Sequence, residues 1–187
     1  MPRLLVVSTS TRPVSTGRPL AAWIGGAAAE HGGFEVVPVD LAEINLPLLD
    51  EPAAPASGEP YTHQHTKDWS ALIESGDAVL FVLTMYNGAF AAPLKNAVDY
   101  LYREWQGKPV GLVSYTAGPS GGVPAAEGIA DVLTRIGARV AESRASVPSI
   151  YGHLGDEGFT APEGFADRLT EVLDELAKLA TEQPVSS

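Results

Sequence analysis

The sequence predicts an α/β fold in which a parallel β-sheet lies between two layers of helices. Short apolar runs alternate along the chain with longer segments of helical pattern, as expected of strands joined by crossover helices. The first run, residues 4–7, is apolar at every position, which is typical of a strand buried on both faces. The chain has 187 residues, of which 45% are hydrophobic, so it is long enough for one domain with a substantial core.

The first part of the chain contributes two strands and a helix. The strand at residues 4–7 precedes a helix at residues 20–29, which ends at the His-Gly-Gly sequence of residues 31–33. A second strand covers residues 34–39. Because proline cannot donate a ladder hydrogen bond, Pro38 places this strand at an edge of the sheet.

The second part of the chain repeats the alternation of helices and strands. Residues 78–83 form the most apolar strand, which predicts a central position. Helices are predicted at residues 66–75, 92–102, 125–136 and 162–180. A further strand is predicted at residues 110–114 and a weaker one at residues 139–142. We therefore predict one domain over residues 1–180, followed by a disordered tail at residues 181–187.

The five strands fit a three-layer sandwich with the spatial order 2-1-3-4-5. In this order the first and third strands are neighbours, and ligands bind at their carboxyl ends. Three unusual loops fall at that edge of the sheet: residues 8–16, 84–88 and 115–122. Their shared location predicts a binding site that no single loop would indicate.

The first of these loops has the composition of a phosphate site. Residues 8–16 contain six hydroxyl side chains and Arg12, and they lie between a strand and a helix. The start of a helix offers free N–H groups and a partial positive charge, to which hydroxyls and a guanidinium add donors. The loop matches neither the G-x-x-x-x-G-K-[ST] nor the G-x-G-x-x-G pattern, so the motifs for ATP-type and dinucleotide binding are absent.

The other two loops suit a planar heteroaromatic ligand. Residues 84–88 offer a thioether, an aromatic ring and an amide for stacking and edge hydrogen bonds, although Asn-Gly is also common in ordinary turns. Residues 115–122 are rich in glycine and allow the backbone to approach a ring closely.

The glycine-rich loop also supports an alternative function. Gly118, Ser120 and Gly122 match G-x-S-x-G, the pattern of a serine hydrolase nucleophile. Its partners would have to be His153, the only histidine that follows, and Asp131, which is predicted to lie in the middle of a helix. We keep a serine hydrolase as a less favoured alternative.

Residues 45–61 are rich in Pro, Ala and Gly without periodicity, which predicts a long loop. Its length alone suggests a lid or wall for a second substrate.

His63 and His65 follow the long loop, but without a third ligand nearby we predict no metal site there.

Composition restricts the partners. Lys and Arg number 12 against 23 Asp and Glu, and the net charge of −11 argues against nucleic acid or an anionic membrane surface. The chain has no cysteine, so disulfides, iron–sulfur clusters and thiol chemistry are excluded. The apolar run at the N-terminus is too short for a signal peptide and no run is long enough to span a membrane, so we expect a cytoplasmic protein.

Over residues 4–147 the chain resembles the NADPH-dependent FMN reductases, a family of flavodoxin-like flavin, quinone and azo reductases. The family's Gly-Ser-x-Arg-x-x-Ser loop reads Thr-Ser-Thr-Arg-Pro-Val-Ser at residues 9–15. Its Pro-Glu-Tyr-Asn and Leu-Lys-Asn-x-x-Asp motifs read Thr-Met-Tyr-Asn at residues 84–87 and Leu-Lys-Asn-Ala-Val-Asp at residues 94–99. The second block is the more specific part of the resemblance.

The resemblance implies an FMN site with its phosphate on the first loop and its ring against the other two. It assigns cofactor contacts to Ser8, Ser10, Arg12, Ser15, Thr16, Met85, Tyr86, Asn87, Gly88, Ser114, Tyr115 and Gly118. Three residues depart from the family pattern. Thr9 replaces a glycine, which predicts less room for the backbone to approach the phosphate. Thr84 and Met85 replace Pro-Glu beside the ring.

The resemblance also implies the reaction. Hydride from NADPH or NADH would pass to FMN and then to a small acceptor, namely a quinone, an azo compound or free flavin, without a catalytic side chain. The resemblance further implies a homodimer or homotetramer, and Leu101, Tyr102 and Trp105 are candidates for either its interface or the core. A flavin-binding electron carrier or sensor without NAD(P)H turnover is the alternative.

Overall fold

The computed structural model describes residues 1–182 of the chain. The main sheet contains β1 (Arg3–Ser8), β2 (Glu35–Asp40), β3 (Ala78–Tyr86), β4 (Ala89–Phe90), β5 (Pro109–Tyr115) and β6 (Arg139–Val147), and a separate hairpin contains β7 (Leu154–Gly155) and β8 (Gly158–Phe159). The helices are α1 (Gly17–His31), α2 (Leu41–Ile44), α3 (Gln64–Ser75), α4 (Ala92–Asp99), α5 (Val123–Arg135) and α6 (Phe165–Thr181). Short 3-10 turns lie at Pro55–Ser57, Arg103–Trp105 and Ile150–His153.

The five long strands are parallel and lie in the order β2-β1-β3-β5-β6. Counted along the chain this is 2-1-3-4-5, so the predicted topology is confirmed. Within residues 1–182, β2 pairs with β1 alone, which confirms the edge position that Pro38 indicated. One apolar cluster joins the sheet to α3, α4 and α5, and a second joins it to α1 and α6, so helices cover both faces.

β4 is an unpredicted addition that pairs antiparallel with the end of β3. Met85 lies opposite Phe90 and Tyr86 opposite Ala89, so the first half of the predicted turn at residues 84–88 is a strand. Asn87 and Gly88 alone make the turn, with φ of 51° and 83°. A two-residue hairpin turn requires these left-handed conformations, and Asn-Gly adopts them at low cost.

β6 is longer than predicted, because it continues from residue 142 to Val147. Its register with β5 shifts between Val110 and Leu112, and this irregularity breaks the alternation by which strands are recognised. As an edge strand it also exposes polar side chains such as Glu142.

The remaining differences concern helix ends. α4 ends at Asp99 rather than at residue 102, because Tyr100 and Leu101 turn into the core. α6 ends at Thr181, so the predicted tail begins inside a helix, and its residues 183–187 lie outside the described part. No helix within residues 1–182 is long and apolar enough to cross a membrane.

The long loop at residues 45–61 is fastened to its neighbours. The Glu51 carboxylate accepts the N–H groups of Thr62 and His63 at 2.9 and 3.0 Å. The His65 ring lies 2.9 Å from the Asp50 carboxylate. The loop is therefore held against the start of α3.

Candidate functional site

A cavity of about 180 Å³ lies where the three predicted loops meet, at the carboxyl edge of the sheet. We call it the loop cavity. Its walls come from the loop after β1, the end of β3, the loop after β5 and the turn after β6. The lining residues are Ser10, Arg12, Ser15, Thr16, Thr84, Met85, Tyr86, Tyr115, Thr116, Ala117, Ile150 and Tyr151.

The loop cavity brings together seven of the twelve residues to which the sequence assigned cofactor contacts. These seven are Ser10, Arg12, Ser15, Thr16, Met85, Tyr86 and Tyr115. The other five, Ser8, Asn87, Gly88, Ser114 and Gly118, do not line it.

The five residues outside the lining have other contacts or positions. Ser8 is buried at the end of β1, faces the groove between α1 and β2, and its hydroxyl has no partner within residues 1–182. Asn87 and Gly88 form the hairpin turn. The Ser114 hydroxyl donates to the Gly121 carbonyl at 2.8 Å, and the Gly118 carbonyl accepts from the Ser149 N–H at 2.9 Å.

Sequence reasoning missed Ile150 and Tyr151. These residues follow β6, whose carboxyl end lies at the same edge of the sheet as the three loops. The predicted strand stopped at residue 142, so the turn after it was not placed at this edge. A strand reaching Val147 would have indicated both residues.

The Arg18 side chain holds the backbone of the first loop, and the Arg12 side chain lines the loop cavity. The Arg18 guanidinium pairs with Asp40 at the end of β2 and donates to the carbonyls of Arg12 and Pro13 at 3.0 and 3.2 Å. The first turn of α1 carries no acidic residue, so its positive end is not neutralised from within the helix. The loop thus places hydroxyl side chains at the positive end of a helix.

Tyr115 forms the floor of the loop cavity. It is 3% exposed, and its hydroxyl faces the side chains of Ser15, Thr84 and Ser10. Burial raises the pKa of the phenol, so Tyr115 is protonated at neutral pH. The ring passes beneath the first residue of α1: a Cβ placed on Gly17 would lie 2.3 Å from the Tyr115 hydroxyl oxygen.

Thr9, which departs from the family pattern, does not narrow the cavity. Its side chain is fully buried and its hydroxyl donates to the Val82 carbonyl at 3.1 Å. The hydroxyl is therefore bonded to the neighbouring strand, and Thr9 is not among the lining residues.

The G-x-S-x-G sequence does not form a sharp strand-to-helix turn. Ser120 is exposed and lies five residues after the end of β5, and its Oγ accepts the N–H of Gly122 at 3.4 Å. A serine hydrolase nucleophile needs a short, strained turn that projects its Oγ. This geometry gives the hydrolase alternative no support.

His63 and His65 stack on each other, with ring centroids 5.2 Å apart, and both contact Asp50. Within residues 1–182 no three His, Asp or Glu side chains are grouped to hold a metal ion. These contacts fix the long loop.

A second cavity, of about 290 Å³, lies beside the first loop, and we call it the side cavity. Thr11, α2 and α4 line it together with Leu46 and Leu48 of the long loop. The long loop therefore borders the side cavity and not the loop cavity.

Comparison with known proteins identifies relatives over the whole described fold. Residues 2–151 match the family described as NADPH-dependent FMN reductase. An NAD(P)H-dependent FMN reductase of a Nectria species is 32% identical over 96% of this chain and 97% of its own length. An NAD(P)H-dependent FMN reductase of Schizosaccharomyces pombe is 41% identical over 65% of this chain and 60% of its own length.

The fold has a counterpart among solved structures. The flavoenzyme FerB of Paracoccus denitrificans, an NAD(P)H:acceptor oxidoreductase, superposes with a TM-score of 0.76 at 20% identity. The match covers 96% of this chain and 97% of that one. This likeness confirms the predicted flavodoxin-like fold.

Proposed function

The chain belongs to the NADPH-dependent FMN reductase family, and from this membership we propose that the loop cavity binds FMN for electron transfer from NAD(P)H to a small acceptor. The observation that carries the proposal is the convergence of a phosphate-type loop and three tyrosines on one cavity. Arg12, Ser10 and Ser15 line one part of it, and Tyr86 and Tyr151 border it with exposed fractions of 41% and 61%.

The residues present fit the cofactor. At the phosphate end, the positive end of α1 favours an anion, Ser10 and Ser15 supply hydroxyls and Arg12 supplies a positive charge. At the ring end, Met85 and Tyr86 offer an apolar wall, and Ala117 leaves room for a planar group. Of the other five predicted residues, Ser114 and Gly118 hold the loop after β5 through hydrogen bonds with Gly121 and Ser149.

FMN, when bound, supplies the ring that takes a hydride from NADPH or NADH and passes two electrons to a quinone, an azo compound or free flavin. The side chains of the chain position this ring and exclude water from it. No side chain of the loop cavity is needed as a nucleophile, and the protonated Tyr115 hydroxyl stays a hydrogen-bond donor at neutral pH.

The purified protein is expected to be yellow and to release FMN on denaturation, and it should oxidise NADPH in the presence of a quinone. Visible absorbance, chromatography of the released flavin and steady-state NADPH oxidation measure these three properties. Bound FMN without turnover would favour the electron carrier instead. A colourless protein that does not bind added FMN would contradict the proposal.

Replacing Arg12 by alanine is expected to weaken FMN binding about tenfold, because a charge-assisted contact to the phosphate is lost. Quenching of flavin fluorescence measures the Kd. Arg135→Ala is the matched control, since Arg135 is exposed in the last turn of α5, away from the loop cavity. Equal FMN affinity in both variants would show that Arg12 does not bind the phosphate.

We further propose that the protein is a cytoplasmic homodimer or homotetramer. Leu101 and Trp105 are 2% and 0% exposed and belong to the core, so they cannot form the interface. Val14 and Leu48, by contrast, are more than 80% exposed, which supports an apolar contact near the first loop. Light scattering during size-exclusion chromatography would test the assembly.

A further inference from the structure

The end of β3 projects beyond the strands on either side of it. β3 pairs with β1 as far as Val82 and with β5 as far as Thr84. Met85 and Tyr86 continue the strand past both neighbours, and both line the loop cavity. Within residues 1–182, β4 is the strand that pairs with these two residues. Their placement at the cavity therefore depends on the β3–β4 hairpin.

The hairpin packs on α5 at a glycine. Gly128 lies in the interior of α5, and a Cβ placed on it would lie 3.3 Å from the Phe90 Cε1 and 3.4 Å from its Cδ1. Phe90 and Met85 also pack against the apolar cluster that contains Ile129 of α5. Glycine costs stability in a helix interior relative to alanine, so helix propensity does not explain Gly128. The close approach of the Phe90 ring to the helix backbone does.

We propose that Gly128 is a positioning residue: it lets Phe90 pack the β3–β4 hairpin against α5, and so sets the wall of the loop cavity that faces the flavin ring. This inference rests on the proposed function, in which Met85 and Tyr86 form that wall. Met85 and Phe90 lie opposite each other in the hairpin, so a displacement of Phe90 is passed to Met85. Helix α5 thus acts on the ring end of the cavity although none of its residues lines it.

A methyl group on Gly128 should move the wall without unfolding the protein. At these distances Phe90 must shift by a few tenths of an ångström. Phe90 is half-buried and belongs to a two-residue strand, so it can shift while α5 gains from the better helix former. FMN and riboflavin share the ring and differ in the phosphate, so a displaced ring wall weakens both alike. Loss of a phosphate contact, as in Arg12→Ala, would affect FMN alone.

The test measures the Kd of FMN and of riboflavin by quenching of flavin fluorescence, together with the midpoint of urea unfolding. Gly128→Ala is expected to raise both Kd values about fivefold and not to lower the midpoint. Gly26→Ala is the matched control, because Gly26 also lies inside a helix but a Cβ there would meet no atom within 4 Å. Phe90→Val removes both ring atoms that approach Gly128 and suits a strand. In that background, Gly128→Ala should leave both Kd values within about twofold.

An effect of Gly128→Ala on FMN alone, or an undiminished effect in the Phe90→Val background, would overturn the proposal. Weaker binding with a lower unfolding midpoint would also overturn it, because general destabilisation would then account for the loss. If the wild-type protein bound neither flavin, the proposed function would fall together with this inference. If it bound both, and Gly128→Ala bound them as tightly as Gly26→Ala does, the inference alone would fail.

Discussion

Gly17→Ala is expected to weaken FMN binding about a hundredfold and to lower the free energy of unfolding by about 2 kcal/mol. Alanine is the better helix former, so propensity alone predicts the opposite sign. The added Cβ would lie 2.3 Å from the Tyr115 hydroxyl oxygen and 2.8 Å from its Cζ. Tyr115 is 3% exposed and its backbone is paired on both sides in the sheet, so the clash can be relieved only by turning the ring toward the loop cavity or by shifting the start of α1.

The effect on FMN binding follows from what the displaced atoms touch. The Ser15 hydroxyl accepts the Gly17 N–H at 3.2 Å, and the Tyr115 hydroxyl faces Ser15 and Ser10 from below. Moving either Gly17 or Tyr115 therefore shifts the hydroxyls proposed to bind the phosphate. Flavin fluorescence titration and urea unfolding measure the two effects separately.

The control is another glycine of the same helix. A Cβ placed on Gly26 would meet no atom within 4 Å, so Gly26→Ala should stabilise the protein by about 0.5–1 kcal/mol and leave the Kd of FMN unchanged. In the Tyr115→Leu background, Gly17→Ala should cost little additional stability, because the clashing ring atoms are gone. If Gly17→Ala changed neither the Kd of FMN nor the free energy of unfolding more than Gly26→Ala does, the inference that Tyr115 packs closely under α1 would be wrong.

The order of the strands could be predicted from the sequence because it depends on features that are local and strong. Continuous apolar runs identify β1, β3 and β5, and Pro38 identifies the edge. β6 was recognised only in part, since its exposed edge and its register shift remove the apolar pattern. β4 is two residues long and exists through its pairing with β3, which no local pattern reveals.

The site could be predicted to the level of its loops but not of its individual side chains. β1 ends at Ser8 and the chain turns away from the strand after it, so Ser8 and Ser10 belong to different environments although both lie in the first loop region. Tyr151 reaches the loop cavity through the end of β6, and Gly17 matters through a ring nearly a hundred residues away. Such contacts between distant segments have no signature in a single sequence.

Glu104 is a buried charged residue that the sequence does not single out. It is 5% exposed, lies in the 3-10 turn after α4, and carries a charge. The Ser70 hydroxyl donates to one carboxylate oxygen at 2.6 Å and the Tyr61 hydroxyl to the other at 2.9 Å. The Arg103 Nε donates to the first oxygen at 3.2 Å. The carboxylate thus joins α3, the end of the long loop and its own turn.

Glu104→Ala is expected to lower the free energy of unfolding by about 3 kcal/mol, since it leaves the hydroxyls of Ser70 and Tyr61 without their acceptor. Burial by itself would raise the pKa of Glu104, but the hydrogen bonds from Ser70 and Tyr61, the backbone and the charge of Arg103 outweigh it and lower the pKa. Because the pKa of Glu104 is lower in the folded protein than its unfolded value of 4.5, the ionised carboxylate stabilises the fold at any pH above 4.5. This contribution is lost as the pH falls through the folded pKa.

Urea unfolding of the wild type and Glu104→Ala between neutral and acidic pH measures this contribution. The difference in free energy should be largest above pH 4.5 and should shrink in more acidic solution. Glu74→Ala is the matched control: Glu74 also lies near Arg103, at 3.8 Å, but its side chain is 55% exposed, so its loss should cost less than about 0.5 kcal/mol. A cost for Glu104→Ala as small as that for Glu74→Ala, or one that did not change with pH, would mean that the buried carboxylate does not hold the long loop to α3.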